Sequence, residues 1–164
     1  MDGAPPFAIR RATIDDIPAL ARHRCEMFRD MNQLLPEAYP LLADATARYL
    51  AEVIPTGSYV AWLVTPRERP ETVVAGGGLQ LRQIAPRPDE AGRLLKPGLQ
   101  GLVVNVYTEK EWRRSGLGEL VMYTIIEWAR ANGVVSLVLH ASSMGRPLYE
   151  RLGFTPTNEM SYPI

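Results

Sequence analysis

Three features of the sequence predict a mixed α/β (α+β) fold. Two early segments carry helical spacing, the middle alternates apolar strands with Pro/Gly turns, and a strand–helix–strand unit fills the second half. Phe7 to Arg11 reads as the first strand. Asp15 is the expected cap of the next helix, ahead of Thr13, because it places Pro18 in the first turn, where a missing N–H does no harm. The stripe Ile17, Leu20, Ala21, Arg24, Met27, Phe28, Met31 marks that helix, and His23 falls on its solvated side. Pro36 opens a second helical stretch that ends near Pro55-Thr56-Gly57. Ser58 to Val64 and Thr72 to Ile84 read as strands, the latter with Gly76-Gly77-Gly78 inside it. Three glycines there imply a bulge or a close backbone approach. Residues 85–98 read as a loop. Gly101 to Thr108 is a strand, Glu109 to Ser115 a charged turn, and Gly116 opens a helix closed by Asn132-Gly133. Val134 to His140 is an apolar strand, Met144 to Leu152 a short helix, and Phe154 to Tyr162 a last strand.

Composition narrows the function. The 164 residues suit one domain, 1–164, with a real core. Lys plus Arg and Asp plus Glu are both 18, and this charge balance disfavours a phosphate-tracking nucleic-acid binder. The one cysteine, Cys25, excludes an internal disulfide and disfavours a cysteine zinc site, and without a second ligand cluster no metal is expected. Met1 to Pro6 lacks the character of a secretory leader, and no apolar run approaches about 18 residues. A cytoplasmic protein without membrane contact is the expectation.

The chemistry concentrates at Arg113-Arg114-Ser115-Gly116-Leu117-Gly118. The first N–H groups of a helix lack internal partners, and the helix dipole adds roughly half a positive charge, so a glycine-opened helix binds anions. The phosphate-binding loop of nucleotide hydrolases needs Lys-Ser/Thr after its last glycine, whereas Glu119-Leu120 follow Gly118. The dinucleotide fingerprint needs Gly or Ala where Val121 stands. It also needs an acid where His140 and Ala141 stand, and glycine directly after the strand rather than beyond Glu109–Ser115. The pattern Arg/Gln-x-x-Gly-x-Gly/Ala fits at every position.

With that loop, the segment from Leu102 to Phe154 resembles the GNAT superfamily of acyl-CoA-dependent N-acetyltransferases. Asn105-Val106-Tyr107-Thr108 resembles a subfamily of small bacterial members, and Ile9 to Ile17 is similar to the family's opening strand and helix. The resemblance implies a mostly antiparallel sheet of about seven strands with four helices, splayed between the fourth and fifth strands. It places the pantetheine of acetyl-CoA on Val106, Tyr107 and Thr108. The pyrophosphate falls on amides of Arg114, Ser115, Gly116, Leu117, Gly118 and Glu119, with Arg113 adding charge. Ser142 stands where many members have an asparagine that touches the pantetheine. Pairing as homodimers is a family habit.

Leu148-Tyr149-Glu150-Arg151-Leu152-Gly153-Phe154 resembles the family's Tyr-x-x-x-Gly-Phe segment, which makes Tyr149 the acid that protonates the departing thiolate. A thiol with pKa about 8.5 and a phenol near 10 make that transfer roughly balanced. Tyr149 packed as an ordinary helix residue is the plainer alternative. Neutralising an ammonium of pKa about 10.4 at pH 7 costs about 4.6 kcal/mol, so a base is needed. His140 and Glu26 are the candidates; Glu26 also lies at helical spacing from Arg22 and Arg29. Arg24, Phe28 and Glu159 are assigned to the amine acceptor. Arg24 either reads a substrate carboxylate or pairs with Glu159, because an arginine on an apolar stripe needs a partner. Two rival functions are a non-catalytic acyl-CoA sensor and a dinucleotide-dependent oxidoreductase.

Overall fold

The computed structural model describes residues 6–164; all but the last residue of the segment Met1 to Pro6, on which the leader expectation rests, lies outside the described residues. Among the described residues, five strands form one sheet in the order β1-β2-β3-β4-β5. These are β1 (Phe7–Arg11), β2 (Tyr59–Pro66), β3 (Ala75–Pro88), β4 (Leu95–Thr108) and β5 (Val134–Leu139). The first four are antiparallel neighbours, and β5 joins β4 in parallel after a helical crossover. Four α-helices surround the sheet: α1 (Ile17–Asp30), α2 (Tyr39–Thr56), α3 (Leu117–Ala131) and α4 (Arg146–Arg151).

The sheet is covered on both faces, which explains why all of β2 is buried and reads as a continuous apolar run. Tyr59, Ala61 and Leu63 pack with Leu20 and Leu50 of α1 and α2. Val60, Trp62 and Val64 pack with Val121, Met122 and Ile125 of α3. Two helix ends follow from local chemistry. Gly57 closes α2 in the left-handed region at φ 74°, where a side chain would be strained. Thr13, not the expected Asp15, caps the chain entering α1. Asp16 reaches back to the Thr13 N–H at 2.8 Å and pairs with Arg10, so a short 3-10 turn at Ile14–Asp16 precedes the helix.

Three other expectations are corrected. Five strands stand where about seven were expected, and Phe154–Tyr162 forms no strand. Pro156 removes a ladder donor, and Met160 and Tyr162 are 93% and 88% exposed, so no apolar face anchors the segment. Residues 85–98 are not a loop throughout, because β3 and β4 continue as a long hairpin. The register shift between Ile84 and Arg87 accommodates Pro86. Asp89 ties the tip by accepting from the Arg93 N–H at 2.9 Å.

His23, expected on a solvated face, is 1% exposed. The apolar face of α1 is wider than the stripe implies, because the helix packs on both α2 and β4. The ring lies 5.1 Å from that of Tyr107, and Nε2 stands 3.4 Å from Glu109 Oε1, yet neither ring nitrogen makes a hydrogen bond. Burial, seconded by the Arg22 charge and opposed by Glu26, lowers its pKa to about 4. The folded pKa therefore lies below the unfolded value of about 6.5. Its neutral form contributes full stability above that upper value, and the contribution declines as the pH falls toward about 4. Urea unfolding midpoints measured between pH 7 and pH 5 should fall for the native chain and fall less for His23→Phe. Parallel declines would show that His23 does not set the slope.

Candidate active site

The site begins where two strands part. β4 pairs with β5 from Leu99↔Val134 to Val103↔Leu139 and then continues to Thr108 without it. Beyond Val103, the β5-facing edge of β4 borders open space. The strand is also bulged here: Gly76 pairs with Tyr107 and Gly78 with Val104, so Asn105 and Val106 together oppose Gly77. Asn105 has φ 57°, a left-handed conformation that asparagine tolerates better than β-branched residues. The bulge turns two successive side chains to one face. Val104 packs in the α1/α2 cluster, and Asn105 accepts from Arg24 Nη1 at 2.6 Å while donating to the Tyr59 hydroxyl at 3.0 Å.

The triple glycine supports this arrangement by relieving crowding. A Cβ at Gly78 would overlap the Tyr59 hydroxyl, and one at Gly77 would come within 2.6 Å of Val121. Burial pushes the Tyr59 phenol up to about 12, against the lowering effect of the Asn105 bond, so the hydroxyl stays neutral.

The turn after β4 presents backbone donors. Arg114 at φ 62° and Gly116 at φ 79° both lie in the left-handed region. Gly116 caps α3 without a side-chain bond, and Leu120 N–H to Gly116 C=O, at 3.0 Å, closes the first helical turn. The amides of Leu117, Gly118 and Glu119 precede that bond and remain available to an anion. Ser115 Oγ donates to the Trp112 carbonyl, which fixes the turn. Arg114 is exposed and makes no hydrogen bond or ion pair among the described residues.

Arg113 is used differently from the sequence expectation of charge beside a phosphate. Its guanidinium donates to Asp30 and, through Nε, to the Thr108 carbonyl at 3.0 Å, and it lies 5.5 Å over the Tyr107 ring. Lys110 Nζ also reaches Asp30, at 3.1 Å. Burial alone would push the Asp30 carboxyl up, but the bonds from Arg113 and Lys110 outweigh it and hold the group below its usual range. Arg113 therefore clamps the loop to the end of α1.

A cavity of about 1080 Å³ unites these parts. Val106, Tyr107, Thr108, Arg113, Arg114, Gly116, Leu117, Gly118, Glu119 and Ser142 line it; Ser115 does not. Tyr149 lines it from α4, its ring close over Gly145 and 6.0 Å edge-on from Phe154. Burial pushes the Tyr149 phenol up, which keeps it protonated at neutral pH. Ser142 Oγ accepts from the Gly145 N–H at 3.1 Å and so shapes the entry to α4.

His140 lies just past β5 on the cavity wall, 74% exposed, with Glu159 Oε1 4.0 Å from Nε2. Glu159 itself does not line the cavity, and it lies near His140 rather than Arg24. Glu26 lies in a separate hollow, where it accepts from the Tyr39 hydroxyl at 2.8 Å and pairs with Arg29. Arg24 and Phe28 line the α1 side of the main cavity, with Arg24 4.9 Å over the Phe28 ring.

Asn105, Tyr59, Tyr49 and Asp30 also line this cavity, and sequence reasoning had assigned none of them to it. Asparagine in a strand otherwise rich in β-branched residues, facing three glycines, was the available signal for the bulge. Nothing local marks Asp30, whose partners are 80 or more positions away in the chain.

Gly116→Val would force a β-branched residue to φ 79°, at a cost of about 1–2 kcal/mol. Calorimetry should show its coenzyme A affinity lowered at least about tenfold. Gly92→Val, equally strained at φ 70° on the distant hairpin tip, should leave that affinity unchanged. Equal losses in both variants would mean that coenzyme A does not use the Gly116 turn.

Among the described residues no helix is long and apolar enough to cross a membrane, and no cluster of His, Cys, Asp and Glu has the makings of a metal site. The family model of the acetyltransferase (GNAT) domain matches residues 69–156. The GCN5-related N-acetyltransferase from Ralstonia eutropha JMP134 is similar at 31% identity over 96% of this chain and 98% of that one, with a TM-score of 0.81. A predicted acetyltransferase from Clostridium acetobutylicum, solved with acetyl-CoA, is 22% identical over 96% of both chains, with a TM-score of 0.79. Glucosamine-6-phosphate N-acetyltransferase from Arabidopsis thaliana shares the fold at 16% identity, covering 96% of this chain and 97% of its own, with a TM-score of 0.67. No curated protein sequence matches. The amide-rich turn at Gly116, the parted strands and the family match together place this chain in the GNAT acetyltransferase family.

Proposed function

We propose that the protein moves the acetyl group of acetyl-CoA to a primary amine by direct attack, with Tyr149 as general acid. The observation that carries this reading is the single cavity that joins the Gly116 turn, the free edge of β4 and Tyr149. The amides of Arg114 and of Gly116 to Glu119 fit a pyrophosphate, with Arg114 as counter-charge. The edge of Val106–Thr108 fits the amide-bearing pantetheine arm, which can add to β4 as a short strand would.

The amine nitrogen attacks the thioester carbonyl carbon. A backbone N–H of β4 beyond Val103 stabilises the developing oxyanion. The C–N bond forms, the C–S bond breaks, and Tyr149 gives its proton to the departing sulfur. His140 takes the ammonium proton, through water, and its exposed position supports that route. Cys25 is buried and its thiol is pushed up by burial, which argues against an acyl-cysteine intermediate.

The acceptor is a small molecule or peptide with a free amine, and the balanced charge of the chain speaks against nucleic acid. A soluble, cytoplasmic enzyme that pairs as a homodimer is the corresponding expectation for its setting.

Tyr149→Phe keeps the ring that packs on Phe154 and removes only the hydroxyl. Its kcat should fall about 100-fold, within the usual range for a general acid. The rise in melting temperature on adding acetyl-CoA should persist, and NAD should give none. Unchanged turnover in Tyr149→Phe would remove the acid role. A chain that binds acetyl-CoA but releases no thiol with any amine would be the acyl-CoA sensor.

A further inference from the structure

We propose that the acceptor carries a carboxylate beside an apolar body, and that Arg24 reads that carboxylate. The proposal rests on the acetyl-transfer reading and specifies the far end of the same cavity.

Arg24 is half-buried on α1 and lines the cavity. Three other arginines line the cavity: Arg113 is held by Asp30, Arg114 lies at the phosphate turn, and Arg151 of α4 donates to the Pro147 carbonyl. Arg24 differs from them by its place in the apolar wall of α1. No carboxylate lies within ion-pair distance of it among the described residues; its hydrogen bond goes to the neutral amide oxygen of Asn105. A guanidinium carries five N–H donors in a planar fork, and one bond leaves the fork largely unfilled. Its neighbours on this wall are uncharged: Met27, Phe28, Met31, Thr46, Tyr49 and Tyr59. Asp30, the nearest acid in sequence on that wall, is already shared by Arg113 and Lys110. A fixed positive charge in an apolar, aromatic wall favours an anion that can take two parallel hydrogen bonds, and a carboxylate has that geometry.

The placement is held from behind. Gly78 makes room for the Tyr59 hydroxyl, Tyr59 accepts from Asn105, and Asn105 accepts from Arg24, which also lies over Phe28. This order fixes the guanidinium while leaving a face for a ligand. Asn105 is also the residue next to Val106 on the free edge of β4, so a carboxylate at Arg24 sits beside the strand that fits the thioester arm. Met27, Met31, Phe28 and Tyr49 supply walls for an apolar side chain. An apolar amino acid has all three parts: amine, carboxylate and apolar body.

The test uses the full chain with coenzyme A present. Melting temperatures are measured with 3-phenylpropanoate and with its neutral amide, 3-phenylpropanamide. Thiol release from acetyl-CoA is measured with leucine, methionine and phenylalanine, each against its carboxamide. The carboxylate should raise the melting temperature saturably and the amide should not. Each amino acid should exceed its amide by about 30-fold in kcat/KM, the size of a lost charge-assisted hydrogen bond. In Arg24→Gln the carboxylate shift should vanish and the acid-to-amide ratio should approach one. Arg24→Lys, which keeps the charge without the fork, should retain part of both and stands in if the glutamine variant does not fold. Equal stabilisation by acid and amide, or a ratio unmoved by Arg24→Gln, overturns the proposal. A carboxylate shift that depends on Arg24, with no thiol release from any amine, keeps the anion site and overturns acetyl transfer instead.

Discussion

A β-strand that loses a neighbour leaves backbone donors and acceptors without partners, and this fold places that loss between β4 and β5, the last pair of its sheet. β4 and β5 separate after Val103 and Leu139 while β4 runs on to Thr108. Exposed strand edges are sticky, and buried ones are costly. A ligand that supplies its own amides resolves both problems. The bulge at Asn105 and Val106 belongs to the same constraint, since a bulge bends its strand and increases the local twist. The amide-rich turn at Gly116 and Tyr149 both line the resulting opening.

Polar side chains hold that opening in shape. Asp30 has 8% of its side chain exposed, so its two cations matter more than a surface pair would. Through Arg113 it connects the end of α1 to the Thr108 carbonyl and hence to the last residue of β4. Arg113 and Arg24 illustrate two uses of one residue type. The first is surrounded by partners and acts as a brace; the second has a neutral amide for company and an open fork.

Much of this was legible in the sequence because it depends on local chemistry. The Gly116 turn and the amphipathic α3 follow from glycine placement and 3.6-residue spacing. The five strands fall near their expected segments because apolar runs were bounded by Pro and Gly. The features that were missed depend on distant neighbours. The apolar stripe of α1 gave no sign that β4 would cover His23, and nothing near Asp30 announced Lys110 and Arg113. The hairpin arms at residues 85–98 were hidden because prolines can sit at a bulge or on unpaired positions of a ladder. Phe154–Tyr162 had the composition of a strand and no apolar face to anchor it.

The contact between Gly78 and the Tyr59 hydroxyl reaches beyond packing. Any side chain at position 78 would expel that hydroxyl. The change could be accommodated by phenylalanine at position 59, but the Asn105 amide would then lose its acceptor and Arg24 its alignment. Positions 24, 59, 78 and 105 are therefore coupled through one chain of contacts, and a change at any of them is felt at the guanidinium.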